Sequence, residues 1–325
     1  MKMSTIDTLL LRQAIKLLEE DQVVAIPTET VYGLAGNLFS EKAVSTIYSL
    51  KQRPHTNPLI AHVATLEAAF ALTKEFPAPL LELANQFWPG PLTLLVEKSS
   101  NVPHTVTAGS TKIAIRIPAH AHTQALLQEL SFPLVAPSAN PYTRISPTTA
   151  EHVAYYFGSA IPLILDGGPC KLGLESTIIG FENNTPLLYR QGALELEMIE
   201  QVIGKVTLYQ KKNKESPTPG LAARHYAPTT PTVLCDRIEI IYQIDETSAV
   251  VLFSEPIPEI PLEQQFILAE SGSMLEAARN LYGLLHQLDR EQYSKIICER
   301  LPETGLGVAL NDKLKRAATP PSLKP

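Results

Sequence analysis

The order of apolar and polar positions divides the chain into helix-like and strand-like stretches. Leu9, Leu10, Ala14, Leu17 and Leu18 recur at helical spacing, with Asp7 placed to cap them. Val23–Ile26 is a short apolar run that predicts a buried strand. It enters a turn at Pro27, a polar cluster Thr28-Glu29-Thr30, then Val31-Tyr32-Gly33 and a small-residue exit at Ala35-Gly36. Glu41–Leu50 predicts a helix that stops before Pro54, because the residue preceding a proline is biased out of the helical region. Lys51 and Arg53 are therefore expected to project from a loop. Leu59–Val63 predicts a strand. Leu66–Ala84 carries helical patterning broken near Pro77 and Pro79. Phe87–Pro91 is a rigid turn anchored by Trp88, and Leu92–Glu97 a further strand.

Val102–Ser110 is predicted as a loop. Lys112–Ile117 alternates strictly, with Ile113, Ile115 and Ile117 on one face and Lys112, Ala114 and Arg116 on the other. Two cations on that second face need either solvent, as on an edge strand, or anions. Leu134–Ala136, Ile161–Asp166, the turn-to-strand Leu174–Ile179 and Leu187–Arg190 are further strand candidates. Helices are expected to open near Thr148–Glu151 and over Met198–Ile203. Lys211–Pro219, charged and containing proline, predicts a linker. Beyond Pro231, the runs Val233–Leu234, Val250–Phe253, Phe266–Ala269 and Ile296–Cys298 predict buried strands. Between the last two lies a helix with Leu275, Ala278, Tyr282, Leu285 and Leu288 on one stripe and a Ser273/Glu276 capping box. Alternating strands and helices predict an α/β fold ending in a small parallel-sheet domain.

The chain has 325 residues, 18% of them charged and 45% hydrophobic, which suits a globular protein with a sizeable core. Its net charge of −6 argues against a generally basic nucleic-acid coat but not against a local basic cleft. The scattered Cys170, Cys235 and Cys298 give neither a disulfide framework nor a zinc spacing, and point to a reducing cytoplasm. The N-terminal stretch reads as an amphipathic helix and not as a signal peptide, and no run is long enough to span a membrane.

Polar residues cluster at the ends of the apolar strands: Thr28–Tyr32, Lys51/Arg53/Asn57, Lys112/Arg116, Ser138/Asn140/Ser146, Ser176/Thr177 and Arg190. Strand ends are where open α/β sheets bind ligands. Cations outnumber carboxylates in this set although the whole chain is acidic, which points to a polyanionic ligand in a concave site. Neither a GxxxxGK[ST] nor a GxGxxG loop is present, so phosphate would be held by side chains, with arginines suited to paired oxygens. These residues taken alone leave nucleotide and nucleic acid both open.

The motifs PTETVYGL, KQR…NPL, WPGPLT, Arg116-Ile117-Pro118, APSAN and DGG…ESTII closely resemble the YrdC-type catalytic domain of threonylcarbamoyl-AMP synthases. His225–Pro228, with an added domain, resembles the long two-domain form of that family. The resemblance implies a twisted mixed sheet with helices around a concave site over residues 1–210. It further implies a linker or lid over 211–230 and a smaller Rossmann-like parallel-sheet domain over 231–325. It implies condensation of L-threonine, bicarbonate and ATP, with Mg²⁺, to threonylcarbamoyl-AMP and pyrophosphate. The product would be handed to a tRNA threonylcarbamoyl transferase, with direct tRNA binding secondary.

Carried over by position, Thr30, His62, Arg116, Ala136 and Ser176 form the threonine pocket. Arg53, Asn57, Lys112, Ser138, Ser146, Arg190 and Ala223 form the ATP site, and Lys51 and Asn140 complete the K-x-R and S-x-N motifs. The segment Leu221-Ala222-Ala223-Arg224 departs from the family, whose linker usually carries a methionine and an aromatic residue there. A backbone contact from Ala223 to ATP is all the departure leaves, with Arg224 and Tyr226 able to compensate. Two other classes were weighed. A basic concave surface can hold duplex RNA, against which the acidic pI argues. Related domains also occur in carbamoyltransferases, whose additional metal motifs are missing from this sequence.

Overall fold

The computed structural model describes residues 7–210, 218–219 and 222–320. The expected linker residues 211–217 and Gly220-Leu221 lie outside them. The first half comprises, in order, α1 (Thr8–Glu19), β1 (Val24–Ile26), β2 (Gly33–Asn37), α2 (Glu41–Lys51), β3 (Ile60–His62), α3 (Leu66–Phe70), α4 (Ala78–Phe87), β4 (Leu92–Glu97), α5 (His104–Thr107) and β5 (Lys112–Arg116). It continues with α6 (Ala121–Glu129), β6 (Leu134–Val135), α7 (Ala150–Phe157), β7 (Thr177–Glu182), β8 (Thr185–Arg190), α8 (Leu196–Ile203) and β9 (Thr207–Leu208). The strands form one mixed sheet in the order β1-β2-β6-β3-β5-β4-β7-β8-β9.

Alternation along the strands sorts the core. Val23 and Ala25 join a cluster with Val44 and Ile47 of α2 and Leu80 and Leu83 of α4, whereas Val24 and Ile26 face Ala14 and Leu18 of α1 and Leu126 of α6. Asp7 caps α1, its carboxylate accepting from the amides of Leu9 at 2.9 Å and Leu10 at 3.4 Å. Trp88 anchors its turn by donating from Nε1 to Leu92 O at 2.8 Å.

Several expectations are corrected. β5 is no edge: β3 and β4 flank it, so Arg116 is buried and not solvated. Lys51, expected in a loop, is the last residue of α2, and both it and Arg53 are buried. Ile161–Asp166 makes only single-residue bridging to β1 at Ile164 and forms no regular strand. The loop 102–110 contains the one-turn α5. β2 was unanticipated because its glycines weaken a strand, yet they let α2 lie close: a Cβ on Gly36 would stand 3.1 Å from both Ala43 Cβ and Ile47 Cδ1. α6 also went unanticipated, its apolar stripe being diluted by Thr123, Gln124 and Gln128.

The second half holds β10 (Thr232–Cys235), α9 (Ile240–Gln243), β11 (Ser248–Leu252), β12 (Gln265–Ile267), α10 (Met274–Arg290), β13 (Lys295–Glu299) and α11 (Leu306–Ala318). Its sheet, β10-β13-β11-β12, is parallel throughout. The expected capping box on α10 does not form. Ser273 makes no side-chain cap, and Glu276 instead accepts from the amide and hydroxyl of Ser271 across the turn at Gly272. Leu275 is exposed, and the buried stripe of α10 is completed by Ala277 and Leu281. α11 escaped notice because Gly305 and Gly307 interrupt its start.

The two halves share a core. Val31, Ile145, Leu174 and Tyr226 pack into the same cluster as Ala278, Leu281, Tyr282 and Leu285 of α10. The loop before β7 presses against α10 so closely that a Cβ on Gly173 would lie 2.4 Å from Ala278 O, and Gly173 has φ +75°. Gly173→Ala is expected to destabilise the protein by about 3 kcal/mol, combining overpacking with left-handed strain. Urea denaturation of the two proteins side by side would measure it.

Candidate active site

One cavity of about 590 Å³, counting its solvent-open mouth, lies over the concave face of the large sheet. Its wall is built from strand ends and the turns that follow them. Thr30 comes from the turn after β1, Arg53 from the turn after α2, His62 from β3 and Arg116 from the end of β5. Ala136 and Ser138 follow β6, Ser176 precedes β7 and Arg190 ends β8. Sequence-distant cations thus meet because parallel and antiparallel neighbours place their ends at one rim. His62 and Arg116 are directly paired in register.

Arg116 donates from Nε to Gly90 O at 3.1 Å, from Nη1 to Thr30 Oγ1 at 2.9 Å and from Nη2 to Glu29 Oε1 at 2.6 Å. A guanidinium carries five N–H groups, so two are left for a ligand. Glu29 is fixed in turn by the Ala119 amide on Oε2 at 3.0 Å. His62 sits beside Arg116 with Nδ1 at 3.1 Å from Ile60 O. Burial, and then the neighbouring Arg116 charge, push its pKa down to about 3, so the ring is neutral.

The remaining cations have no carboxylate partner among the described residues. Arg53 donates from Nε to Asn57 O at 3.0 Å and from Nη2 to Asn57 Oδ1 at 2.6 Å and Pro58 O at 2.7 Å. Its guanidinium lies 5.9 Å from the centroid of the Tyr142 ring. Burial, only partly offset by nearby tyrosines, lowers its pKa to about 10. Arg190 donates from Nε to Ser176 O and from Nη2 to Ser176 Oγ, each at 3.1 Å, and Ser176 Oγ is held 2.7 Å from Thr93 Oγ1.

Lys51 does not line the cavity. Its ammonium donates to the carbonyls of Ser138 and Asn140, tying the K-x-R turn to the S-x-N turn, and burial holds its pKa well below the usual lysine range. Asn140 donates from Nδ2 to Pro141 O and Arg144 O, and so shapes the turn from behind. Asn57 likewise acts on Arg53 and is not itself on the wall.

Three expected site residues are placed elsewhere. Lys112 shares a strand face with Arg116 but stands four residues away, about 13 Å along an extended strand, where it pairs with Glu182 at 2.6 Å. Ser146 is fully buried behind the wall and donates to Glu175 Oε1 at 2.6 Å. Ala223 is exposed and off the wall. The chain beyond it instead contributes His225 and Tyr226, with Pro219 ahead of it. His225 Nδ1 accepts the Tyr226 amide at 3.1 Å, which leaves Nε2 to carry the ring proton. Burial, followed by the charges of Arg53, Lys51 and Arg190, keeps His225 neutral. The Tyr226 hydroxyl is buried with no hydrogen-bond partner among the described residues. In the sequence, His225 and Tyr226 stand out only as members of a motif. Glu29 and Glu175 stand beside residues that drew notice for their hydroxyls, and their roles depend on partners far along the chain.

Helix α11 grips this segment. Arg316 donates from Nη1 to Ala222 O at 2.6 Å and is itself held by Asp312, while Lys313 Nζ stands 5.2 Å from the Tyr226 ring centroid. No cluster of three or more histidine, cysteine or carboxylate side chains able to cage a metal occurs among the described residues, and no described helix is long and apolar enough to cross a membrane.

Residues 16–192 match the family model described as telomere recombination, that of Sua5, YciO and YrdC. Residues 194–319 match the model described as the C-terminal domain of threonylcarbamoyl-AMP synthase. The threonylcarbamoyl-AMP synthase of Pyrococcus abyssi is 38% identical, covering 95% of this chain and 94% of its own length. That of Bacillus subtilis is 39% identical over 94% and 92%. The crystal structure of P. abyssi Sua5 complexed with L-threonine superimposes with a TM-score of 0.88 at 38% identity, over 95% of this chain and 94% of that one.

The buried histidines set an acid limit to stability. Burial lowers His62 and His286 to about 3 and His152 to about 4. An unfolded histidine titrates near 6.5, so below that pH the unfolded chain binds protons that the folded chain excludes. Stability from these groups is complete above about pH 7 and falls between pH 6.5 and 4, by about 1.4 kcal/mol per pH unit for each histidine. Urea titrations at pH 7, 6 and 5 should show this slope, and His286→Gln should make it shallower by one histidine.

Proposed function

The chain belongs to the threonylcarbamoyl-AMP synthase family, and we propose that its cavity seats L-threonine beside ATP and joins them, through bicarbonate, as threonylcarbamoyl-AMP. The observation that carries this reading is that Arg53, Arg116 and Arg190, from three different elements, line one cavity. Among the described residues, two of these arginines lack a carboxylate partner, and all three keep N–H groups that no protein atom uses.

The two ends of the cavity differ in chemistry. Arg116, already steadied by Glu29 and Thr30, offers its two remaining N–H groups to an amino-acid carboxylate, with neutral His62 and Thr30 Oγ1 nearby for uncharged polar atoms. Arg53 and Arg190 offer theirs to phosphate oxygens, and the Ser138 hydroxyl on the wall adds a neutral donor. Threonine and bicarbonate give a carbamate by loss of water. A carbamate oxygen then attacks the α-phosphorus of ATP, a new P–O bond forms, and the bond from the α-phosphorus to the bridging oxygen breaks as pyrophosphate leaves.

Charge on the phosphates is the main barrier to such a displacement, and fixed cations in a water-poor cavity lower it without reorganisation. Neutral His62 and His225 hold hydrogen bonds there without adding a titrating charge. Mg²⁺ would enter with the substrate as its ATP complex, held by phosphate oxygens and water. The mixed anhydride product is reactive, which fits handover to a tRNA threonylcarbamoyl transferase as the consuming step.

Pyrophosphate release from ATP should require threonine and bicarbonate together, and release without threonine would overturn the assignment. Arg116→Ala is expected to raise the KM for threonine by roughly one to two orders of magnitude, as loss of a charge-assisted pair should. Arg53→Ala should impair ATP use to a similar extent. Coupled pyrophosphate assays with each substrate varied in turn separate the two effects, and wild-type behaviour of both variants would show that the site lies elsewhere.

A further inference from the structure

The second half of the chain touches the cavity wall from behind at a carboxylate that the reaction scheme above does not use. Glu175 lines the cavity and is buried, yet among the described residues no cation stands within ion-pair distance of it. A buried carboxylate in that setting depends on hydrogen-bond donors. It has two, one per oxygen. Ser146 Oγ donates to Oε1 at 2.6 Å, and Tyr282 OH donates to Oε2 at 3.0 Å. Ser146 belongs to the sheet's own half and Tyr282 to α10.

The same helix holds the other end of this link. His286, four residues after Tyr282 and therefore on the same face of α10, has Nε2 at 3.2 Å from Ser146 O. Tyr282 and His286 thus brace the two ends of the Ser146–Glu175 hydrogen bond. The ring of Tyr282 also stacks on Tyr226, another wall residue, with centroids 5.8 Å apart. The backbone under Glu175 packs closely on Gly192, where a Cβ would lie 2.2 Å from Glu175 O, and that carbonyl accepts from the Ala193 amide at 2.8 Å. The Glu175 side chain takes its direct hydrogen bonds from these two hydroxyl donors, while the charge of the buried Lys313 also acts on it.

We propose that Tyr282 is a positioning residue for the synthase reaction, fixing the Glu175 carboxylate on the cavity wall so that substrates enter a preset charge pattern. The wall arginines hold anionic oxygens, and the oriented Glu175 carboxylate, next in sequence to the Ser176 that holds Arg190, limits where those oxygens can sit. Tyr282 touches no substrate and acts only through Glu175. Its role rests on the functional reading above, and the test separates the two.

The experiment compares the full chain with Tyr282→Phe, Glu175→Gln and the double variant, measuring KM and kcat for ATP and threonine, ATP binding by calorimetry and the melting midpoint. Tyr282→Phe keeps the ring and its packing and removes only the donor. It should raise the KM for at least one substrate about tenfold with kcat within about twofold of wild type. In the Glu175→Gln background the same change should add nothing, which a purely structural role of Tyr282 would not produce. Unchanged KM values for both substrates, or effects that multiply in the double variant, overturn the proposal. Should Tyr282→Phe melt below the assay temperature, Ser146→Ala, which removes the donor on the other oxygen, carries the same expectation. If the wild-type chain makes no threonylcarbamoyl-AMP while Tyr282→Phe still weakens ATP binding about tenfold, the positioning role stands and the functional reading falls.

Discussion

The constraint on which this structure depends is the cost of holding positive charge out of water without a negative partner. Lys51, Arg53 and Arg190 are buried around one cavity, and desolvation costs each such ion several kcal/mol. The fold meets that cost with oriented neutral oxygens: the carbonyls of Ser138 and Asn140 for Lys51, those of Asn57 and Pro58 for Arg53, and the carbonyl and hydroxyl of Ser176 for Arg190. Carbonyl dipoles steady a cation but do not cancel its charge. The cavity is therefore preset for an anion, whose arrival supplies the missing charge. Arg116 differs, because Glu29 already balances it. That difference separates Arg116, paired with a carboxylate, from Arg53 and Arg190, held by neutral oxygens.

Holding such a site demands rigid surroundings, and here the second half of the chain takes part. Its helices do more than pack: α10 reaches Glu175 and Ser146, and α11 reaches the segment that carries His225 and Tyr226. Both contacts arise from an interface that is apolar at its centre, where Leu174, Ile145 and Tyr226 share a core with Leu281 and Leu285. Polar contacts inside such a core are strong because water is excluded, and costly if broken. The C-terminal half thus braces, from behind, the wall of a site formed by the N-terminal sheet.

Local reading of the chain succeeded wherever one face of an element decides its state. The strict alternation of Lys112–Ile117 shows in the structure as β5, and the stripe from Ala278 to Leu288 as α10. It failed where close approach overrides propensity. β2 is a strand in spite of its glycines because α2 lies directly over them, and α11 is a helix in spite of the glycines at its start. The capping box at Ser273 was displaced by one turn of chain geometry that sequence spacing does not encode.

The sequence by itself determined the strongly patterned elements, the parallel character of the small second sheet, and the excess of cations at strand ends in an otherwise acidic chain. These follow from periodicity and from charge counted along one dimension. Only the tertiary structure decided which of those cations face one another. Residue alternation assigns Lys112 and Arg116 to the same face, but the length of the strand carries one to the cavity and the other to Glu182. Packing also decided that Ser146 acts through Glu175, and that Tyr282, from the far end of the chain, supports them both. Such contacts join residues from 29 to 107 positions apart, and their distances are set by how sheets and helices stack, which no local pattern records.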